Sequence, residues 1–256
     1  MPFAAGDPVL LLERTEEGDV RKHLLRAGDK VERYRGLGVF DPGKLVGLAP
    51  GDRLRIGSKD LVLLTPTTAD LLETLERRAQ IVLAKEAGPI LLHAGIVPGA
   101  RVVEAGIGSG ALTIVLAAAV GARGRVVTYE LREDFAQVGR ANVDRAGLGD
   151  RLEVRIGDVR RGIAEREADA VVLDIPDPWE AVAAAKEALR RGGALACYSP
   201  LVSQMEQTVR ALEAAGFVDV RTIETLQREW VVGERGSRPS FDMLGHTGFL
   251  TFGRKA

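Results

Sequence analysis

The sequence predicts an α/β protein with a doubly wound sheet of seven strands, preceded by a small N-terminal β domain. Its 256 residues are 46% hydrophobic, which allows one full α/β core and leaves roughly 60 to 90 residues for a second small unit. From Pro89 onward, buried strands alternate with amphipathic helices, as in a parallel sheet with helical crossovers. We therefore expect the β domain over 1–64, a linking helix and loop over 65–88, and the main α/β domain over 89–256.

The N-terminal residues predict a small antiparallel sheet or barrel. Short β-type runs are separated by Gly-Asp, Asp-Pro-Gly and Pro-Gly-Asp sequences, which are typical of turns. A helix is then expected from Thr65 to about Arg78, because Leu71, Leu72 and Leu75 recur at helical spacing. The N-terminal strands are expected at 8–12, 30–34, 44–47, 52–56 and 60–64.

The main domain alternates strands and helices until its last two strands, which no helical pattern separates. The sheet is therefore expected to end in an antiparallel element. Its strands are expected at 101–105, 125–130, 152–156, 168–174, 194–198, 218–223 and 248–252. Its helices are expected at 111–120, 133–146, 179–190 and 203–215.

Composition narrows the classes of function. With 35 Lys and Arg against 36 Asp and Glu, net charge gives no reason to expect a polyanionic partner, so any nucleic-acid surface must be local. Arg21-Lys22, Arg77-Arg78, and Arg235 with Arg238 are each either phosphate contacts or a solvated face.

Localisation and metal binding are also constrained by the sequence. A single cysteine, Cys197, excludes an intrachain disulfide and fits the cytoplasm. We expect no membrane span, because the most apolar run, 111–120, is shorter than the roughly 20 residues that a bilayer helix needs. No His or Cys cluster has ligand spacing, so no metal site is expected.

A glycine-rich turn, 104–110, joins the first strand of the main domain to its first helix. Such a turn lets a ligand approach backbone N–H groups at a helix N-terminus. The spacing Gly106-x-Gly108-x-Gly110 differs from that of dinucleotide folds, and Glu104 precedes it. A carboxylate would repel a pyrophosphate but favour the cationic amino-acid end of S-adenosylmethionine. The turn therefore predicts a methyl donor rather than NAD, the alternative being a tight turn with no ligand.

Two further carboxylates follow the next strands. Glu130 ends the second strand, roughly 20 residues after the glycines, where doubly wound folds place a carboxylate on ribose hydroxyls. Asp158, followed by Val159, comes after the third strand, where it can accept from the exocyclic amine of adenine. The alternatives are a strand-end charge for Glu130 and a helix N-cap for Asp158.

Asp174 follows the fourth strand, at the sheet edge where such folds place their chemistry. For an acceptor such as N1 of adenine, Asp174 can accept a hydrogen bond from N6 and stabilise positive charge as the ring is alkylated. No strong base is needed because N1 carries a free lone pair, and orientation should supply most of the acceleration. Otherwise Asp174 forms a buried turn with Pro176 and Pro178.

Four motifs together resemble the TrmI family of tRNA (adenine-N1)-methyltransferases. The resemblance implies the class I S-adenosylmethionine-dependent methyltransferase fold, which is Rossmann-like. It also implies methylation of adenosine 58 in the T-loop of tRNA, with adenosine 57 as well in archaeal members, and a homotetramer. The motifs are Arg78-Ala79-Gln80-Ile81-Val82, the turn from Glu104 through Thr113, Asp174-Ile175-Pro176-Asp177-Pro178-Trp179 and Gly245-His246-Thr247-Gly248-Phe249.

The resemblance also implies which residues surround the cofactor, with Asp174 meeting the target adenine as the catalytic residue. One segment departs from the family, because Leu83-Ala84-Lys85-Glu86 stands where Tyr-Pro-Lys-Asp is common and an aromatic ring is lost. Two alternatives stay open: a methyltransferase with another acceptor, and a non-catalytic tRNA-binding subunit. His246 either lines the mouth of the pocket or serves structure. The implied cofactor residues are Gln80, Ile81, Val82, Glu104, Gly106, Ile107, Gly108, Ser109, Gly110, Leu112, Glu130, Asp158, Val159 and Asp174.

Overall fold

The computed structural model describes residues 1–256 except 16–18, 79 and 234–235. Ala79 of the first motif and Arg235 of the last basic pair therefore lie outside the described residues.

The N-terminal residues form a four-stranded antiparallel sheet and a separate hairpin. The strands are β1 (Pro8–Arg14), β2 (Val20–Arg26), β3 (Glu32–Tyr34), β4 (Gly38–Phe40), β5 (Arg53–Ile56) and β6 (Lys59–Leu64). The sheet has the order β2-β1-β6-β5, and β3 pairs with β4. Alternate residues of β1 and β6, such as Val9, Leu11, Leu61 and Leu63, are buried in one apolar cluster, which is the period-two pattern of a half-buried sheet.

The prediction of a strand at 44–47 is wrong, because Pro42–Leu45 is a 3₁₀ helix. The Asp41 side chain accepts from the backbone N–H of Gly43 at 2.9 Å, and a proline occupies the first turn. Both features favour a helix start over a strand.

The linking segment contains two helices, α1 (Thr68–Glu73) and α2 (Ala84–His93). The prediction that the helix reaches Arg78 is wrong, since α1 ends at Glu73. Beyond it the linker backbone bonds to the main domain, where Glu76 N–H donates to Asn142 Oδ1 at 3.3 Å. The sequence did not indicate α2, which holds Pro89 in its interior.

The main domain carries a seven-stranded mixed sheet and a two-stranded hairpin. Its strands are β7 (Arg101–Ala105), β8 (Arg125–Glu130), β9 (Leu152–Ile156), β10 (Ala168–Leu173), β11 (Leu189–Ser199), β12 (Phe217–Glu224), β13 (Trp230–Gly233), β14 (Gly236–Pro239) and β15 (Phe249–Lys255). Its helices are α3 (Ala111–Val120), α4 (Glu133–Arg145), α5 (Val182–Ala188) and α6 (Val202–Ala214). The helix expected at 179–190 is shorter, because Pro178–Ala181 is a 3₁₀ turn and β11 already begins at Leu189.

The seven-stranded sheet has the order β12-β15-β11-β10-β7-β8-β9. The strand β15 is antiparallel to both of its neighbours, which confirms the expected antiparallel ending. An apolar cluster covers each face. The chain switches direction across the sheet at β7, which pairs with β8 on one side and β10 on the other. Ligands of such folds bind at the carboxyl ends of the strands beside this switch point.

Asn142, the only asparagine in the chain, fastens the linker to the main domain. Its amide nitrogen donates to the carbonyl oxygens of Glu76 at 3.0 Å and Ser109 at 2.9 Å. Its Oδ1 accepts from Glu76 N–H and from Arg145 Nη2 at 2.7 Å. A buried amide with all of these bonds formed fixes the linker against both α4 and the glycine turn.

We predict that Asn142→Ala lowers the free energy of unfolding by about 2–4 kcal/mol, because several buried polar groups lose their partner at once. Denaturant unfolding measures this. Gln137→Ala is the matched control, since Gln137 is an exposed amide on the same helix and should change stability by less than about 0.5 kcal/mol. Equal small effects for the two variants would contradict the assigned role of Asn142.

Candidate active site

A cavity of about 490 Å³ opens at the carboxyl ends of β7, β8 and β10. Its walls come from the glycine turn, from the end of β8 with the start of α4, and from the loops after β9 and β10. The volume lies within the roughly 300–1,000 Å³ that is usual for small-molecule sites.

Gly106 allows the turn after β7 to approach the end of β10. Its φ is +88°, and a Cβ atom here would overlap the backbone carbonyl of Asp174. Gly110 also has a positive φ, +81°, and a Cβ there would lie 2.8 Å from the carbonyl oxygen of Gly139. Side chains at these positions would force apart the elements that form the cavity wall.

Glu104 is fully buried and directly precedes Ala105, which lines the cavity. Its Oε2 accepts a hydrogen bond from Thr113 Oγ1 at 2.6 Å, whereas its buried Oε1 accepts no hydrogen bond from the residues that the structure describes. Burial raises the pKa of Glu104 to about 7, and the negative charges of Asp174 and Glu130 act in the same direction. A cation bound close by would relieve this cost.

Glu130 closes the turn from the end of β8. Its Oε2 accepts from Gly108 N–H at 3.3 Å, and its Oε1 accepts from the N–H groups of Leu131 and Arg132 at 2.9 and 3.1 Å. The carboxylate lines the cavity and keeps lone pairs available for a ligand with hydroxyl groups.

The Asp158 carboxylate forms hydrogen bonds and an ion pair with a neighbouring residue of the protein. It caps the short helix Val159–Arg161 by accepting from Arg160 N–H at 3.0 Å. It also forms a two-point ion pair with the Arg160 guanidinium at 2.9 Å, which holds the pKa of Asp158 below its usual range. The bonds of Asp158 are therefore those of the helix N-cap that the sequence offered as an alternative, although Asp158 also lines the cavity.

Asp174 lies on the cavity wall, at the point where β10 ends. Its backbone N–H continues the β7–β10 pairing by donating to Ala105 O at 2.9 Å. No described side chain or N–H donates to its carboxylate. Burial, together with the nearby charge of Glu130, raises the pKa of Asp174 to about 7. The side chain is thus a free acceptor whose charge is easily changed by what binds.

Beside Asp174, a buried polar cluster joins α2 to the end of β11. Tyr198 Oη donates to Thr247 O at 2.7 Å, and Lys85 Nζ donates to Thr247 Oγ1 at 2.6 Å and contacts Glu86 at 2.6 Å. Burial, with the charges of Glu86 and Asp174, raises the pKa of Tyr198 to about 12. Tyr198 was not indicated by the sequence; its position one residue before the end of β11, next to β10, was the available signal.

The cavity brings together half of the residues expected around a cofactor. Those on its wall are Gln80, Gly106, Gly108, Glu130, Asp158, Val159 and Asp174. The other seven do not line it, and their contact with a cofactor stays a prediction; they are Ile81, Val82, Glu104, Ile107, Ser109, Gly110 and Leu112. Leu131, Arg132 and Phe135 also line it and were not singled out from the sequence.

His246 holds the loop before β15 in place. Its Nδ1 lies 2.6 Å from Glu224 Oε1 and its Nε2 lies 2.8 Å from Pro200 O. Because both partners are acceptors, both ring nitrogens must donate, and the hydrogen bond to Glu224 raises the pKa of His246. These bonds indicate that His246 has a structural role.

The described part of the chain was searched for a metal site and for a membrane-spanning helix. Within it, no three His, Cys, Asp or Glu side chains are grouped so as to hold a metal ion. No helix there has the length and apolar character needed to cross a membrane.

Comparisons with known proteins agree with this geometry. The family described as tRNA methyltransferase complex GCD14 subunit matches residues 61–236. The tRNA (adenine(57)-N(1)/adenine(58)-N(1))-methyltransferase TrmI of Methanocaldococcus jannaschii is 41% identical, with 75% of this chain and 77% of the relative aligned.

Two solved structures resemble the whole chain. A SAM-dependent O-methyltransferase from Thermotoga maritima has a TM-score of 0.84 at 32% identity, covering 100% of this chain and 95% of that one. The tRNA (m1A58) methyltransferase TrmI from Aquifex aeolicus has a TM-score of 0.77 at 25% identity, covering 100% and 99%. The chain therefore has the fold of the SAM-dependent methyltransferases, and it belongs to the family of tRNA methyltransferases that contains TrmI and the GCD14 subunit.

Proposed function

We propose that this protein transfers a methyl group from S-adenosylmethionine to N1 of adenosine 58, and also of adenosine 57, in the T-loop of tRNA. The observation that carries the proposal is the Asp174 carboxylate, an acceptor to which no described residue donates, on the wall of a cavity that the glycine turn also forms. The activity for which the Methanocaldococcus jannaschii relative is named supports the acceptor.

The residues present fit S-adenosylmethionine. The orphaned Oε1 of Glu104 suits the ammonium of an amino acid, the Glu130 carboxylate suits ribose hydroxyls, and Leu131 and Phe135 give an apolar wall for adenine. When bound, the donor supplies an electrophilic methyl group on a cationic sulfur. Glu104, Glu130 and the bare backbone at Gly106 and Gly108 would hold it. The three buried or half-buried carboxylates favour this cation through charge alone.

Asp174 then acts on the acceptor. Its carboxylate accepts from the N6 amine of adenine and orients N1, and its charge stabilises the positive charge that grows on the ring. No residue needs to remove a proton before transfer, because the N1 lone pair is free. With Leu83 in place of the usual aromatic, the base is held by the Asp174 hydrogen bond and by Gln80, Ile175 and Pro176 around it.

A second acceptor class is favoured by the name of the Thermotoga maritima structure, an O-methyltransferase. A hydroxyl acceptor needs a base, and an Asp174 carboxyl whose pKa is about 7 suits that role near neutral pH. Product analysis separates the two reactions. The intact turn, Glu130 and Asp174 argue against a non-catalytic subunit.

We also propose that the protein assembles as a homotetramer and acts in the cytoplasm, where its tRNA substrate would be found. The support for assembly is a concentration of exposed large apolar side chains within 226–233 and 236–244, including Trp230, Val232 at 81% exposure and Phe241 at 85%. Such a concentration is unusual on a monomer surface.

The central test incubates the protein with labelled S-adenosylmethionine and unmodified tRNA and then identifies the methylated nucleoside. We expect 1-methyladenosine, and Asp174→Asn should lower kcat by about 10² or more because a neutral amide no longer stabilises the developing charge. The matched control is Asp177→Asn, on the same loop and the same cavity, which should change kcat little.

Donor binding, measured by calorimetry, should survive in Asp174→Asn. Label in another nucleoside, or none in RNA despite donor binding, would reject the proposed acceptor. Equal losses in Asp174→Asn and Asp177→Asn would remove Asp174 from its special role.

The raised pKa values predict a pH dependence. Asp174 and Glu104 are protonated below pH values near 7. The Glu104 charge that favours donor capture and the Asp174 charge that supports catalysis are therefore present above pH 7 and lost as pH falls. The logarithm of kcat/KM for the donor should fall with a slope between about 1 and 2 below pH 7. Asp174→Asn and Glu104→Gln should each reduce that slope to about 1, whereas a flat profile between pH 6 and 8 would contradict both assignments.

Assembly is tested by light scattering on the eluting protein. The wild type should have the mass of four chains, and Val232→Asp should shift it to smaller species because a charge would be buried in the interface. Val97→Asp, at an exposed apolar residue of the loop before β7, is the control and should leave the mass unchanged. A monomeric wild type would refute the assembly.

A further inference from the structure

A second cavity, about 770 Å³ in volume, lies between the N-terminal β domain and the linker. We name it the interdomain cleft. Its walls come from β2, from the β3–β4 hairpin, from the linker after α1 and from the end of α4. Its charged residues are Arg21, Lys22, Arg35, Arg145, Glu73 and Glu76, with His23 beside them.

The interdomain cleft has an excess of positive charge that is not neutralised locally. Lys22 is paired, because its Nζ lies 2.7 Å from both Asp70 and Glu73. Arg21, Arg35 and Arg145 form no ion pair with any described carboxylate. In a protein whose formal net charge is -1, three unpaired arginines around one cavity form a local field that attracts an anion.

Arg145 is the most unusual of the three. Its Nη2 donates to Thr74 O at 3.1 Å and to Asn142 Oδ1 at 2.7 Å, so the guanidinium is held in one orientation. Its Nε is buried and has no acceptor within the described part of the chain, and burial lowers the pKa of the guanidinium. The negative charge of Glu76 raises the pKa of Arg145, but the Glu76 carboxylate is itself paired with Arg78 at 3.3 Å. A fixed, desolvated cation without a carboxylate is costly unless an anion binds.

The helix α4 connects the interdomain cleft to the active site. Arg132 and Phe135, at its start, line the active-site cavity, and Arg145, at its end, lines the cleft. Thirteen residues at 1.5 Å per residue separate the two by about 20 Å. A macromolecular substrate can occupy both places at once, whereas a free nucleotide or the methyl donor cannot.

We propose that the interdomain cleft binds backbone phosphate of the RNA substrate, through Arg21, Arg35 and Arg145, while the target base lies at Asp174. Arginine is suited to this because its planar fork matches two phosphate oxygens. Such contacts set the position and register of the RNA without reading its sequence. This inference rests on the proposed tRNA substrate and adds the surface that captures it.

The test measures binding of an unmodified tRNA transcript to the full-length protein at several salt concentrations. The variant is Arg21→Glu with Arg35→Glu, and the control is Arg14→Glu with Arg33→Glu, which makes the same change of charge on the same two hairpins outside the cleft. All four arginines are exposed, so the fold should be retained, and thermal unfolding checks this.

We expect the cleft variant to weaken tRNA binding at least about 10-fold and to make the slope of log K against log salt shallower by about 2, since two phosphate contacts are lost. Donor affinity, and kcat at saturating tRNA, should stay within about two-fold, because these residues lie away from the chemistry. The control should weaken tRNA binding by less than about three-fold.

Equal weakening by both pairs would overturn the cleft assignment, since it would show general electrostatic attraction, and no weakening by the cleft pair would overturn it as well. These outcomes differ from failure of the proposed function. If the wild type neither binds nor methylates tRNA, both proposals fall; if it methylates tRNA and the cleft variant does so with unchanged KM, the cleft proposal alone falls.

Discussion

The close approach of Gly106 to the backbone of Asp174 is the constraint on which the active site depends. A Cβ atom at Gly106 would overlap the Asp174 carbonyl, so the ends of β7 and β10 meet only because a residue without a side chain stands there. That contact lies at the switch point of the sheet, where loops on the two sides diverge and leave a crevice. The glycine turn and the acceptor carboxylate therefore share one cavity.

The electrostatics of that cavity follow from the same convergence. Glu104, Glu130 and Asp174 are brought together by three neighbouring strands, and burial together with mutual repulsion raises the pKa of Glu104 and Asp174 to about 7. An arrangement of this kind is unfavourable for an empty protein and favourable for a cationic ligand.

The linker extends this organisation toward the N-terminal domain. Asn142 bonds the backbone at Glu76 and at Ser109, so the segment that leads to Gln80 is held against both α4 and the turn. The same amide orients Arg145 in the interdomain cleft. One buried side chain therefore supports the glycine turn of the candidate active site and also Arg145 in the interdomain cleft.

The sequence by itself determined the elements whose signal is local. The bounds of β7, β8, β9 and α3 match the expected ranges, because apolar runs and glycines mark their ends. The glycine turn with Glu130 and Asp174 indicated the edge of the sheet at which the cavity opens. Tertiary structure decided the rest. The linker leaves the helix at Glu73 because its backbone bonds to Asn142, and Tyr198, Arg35 and Arg145 acquire their surroundings from strands and hairpins distant in sequence. Periodicity records which residues are buried along one element, whereas pairing between elements depends on contacts that no local pattern contains.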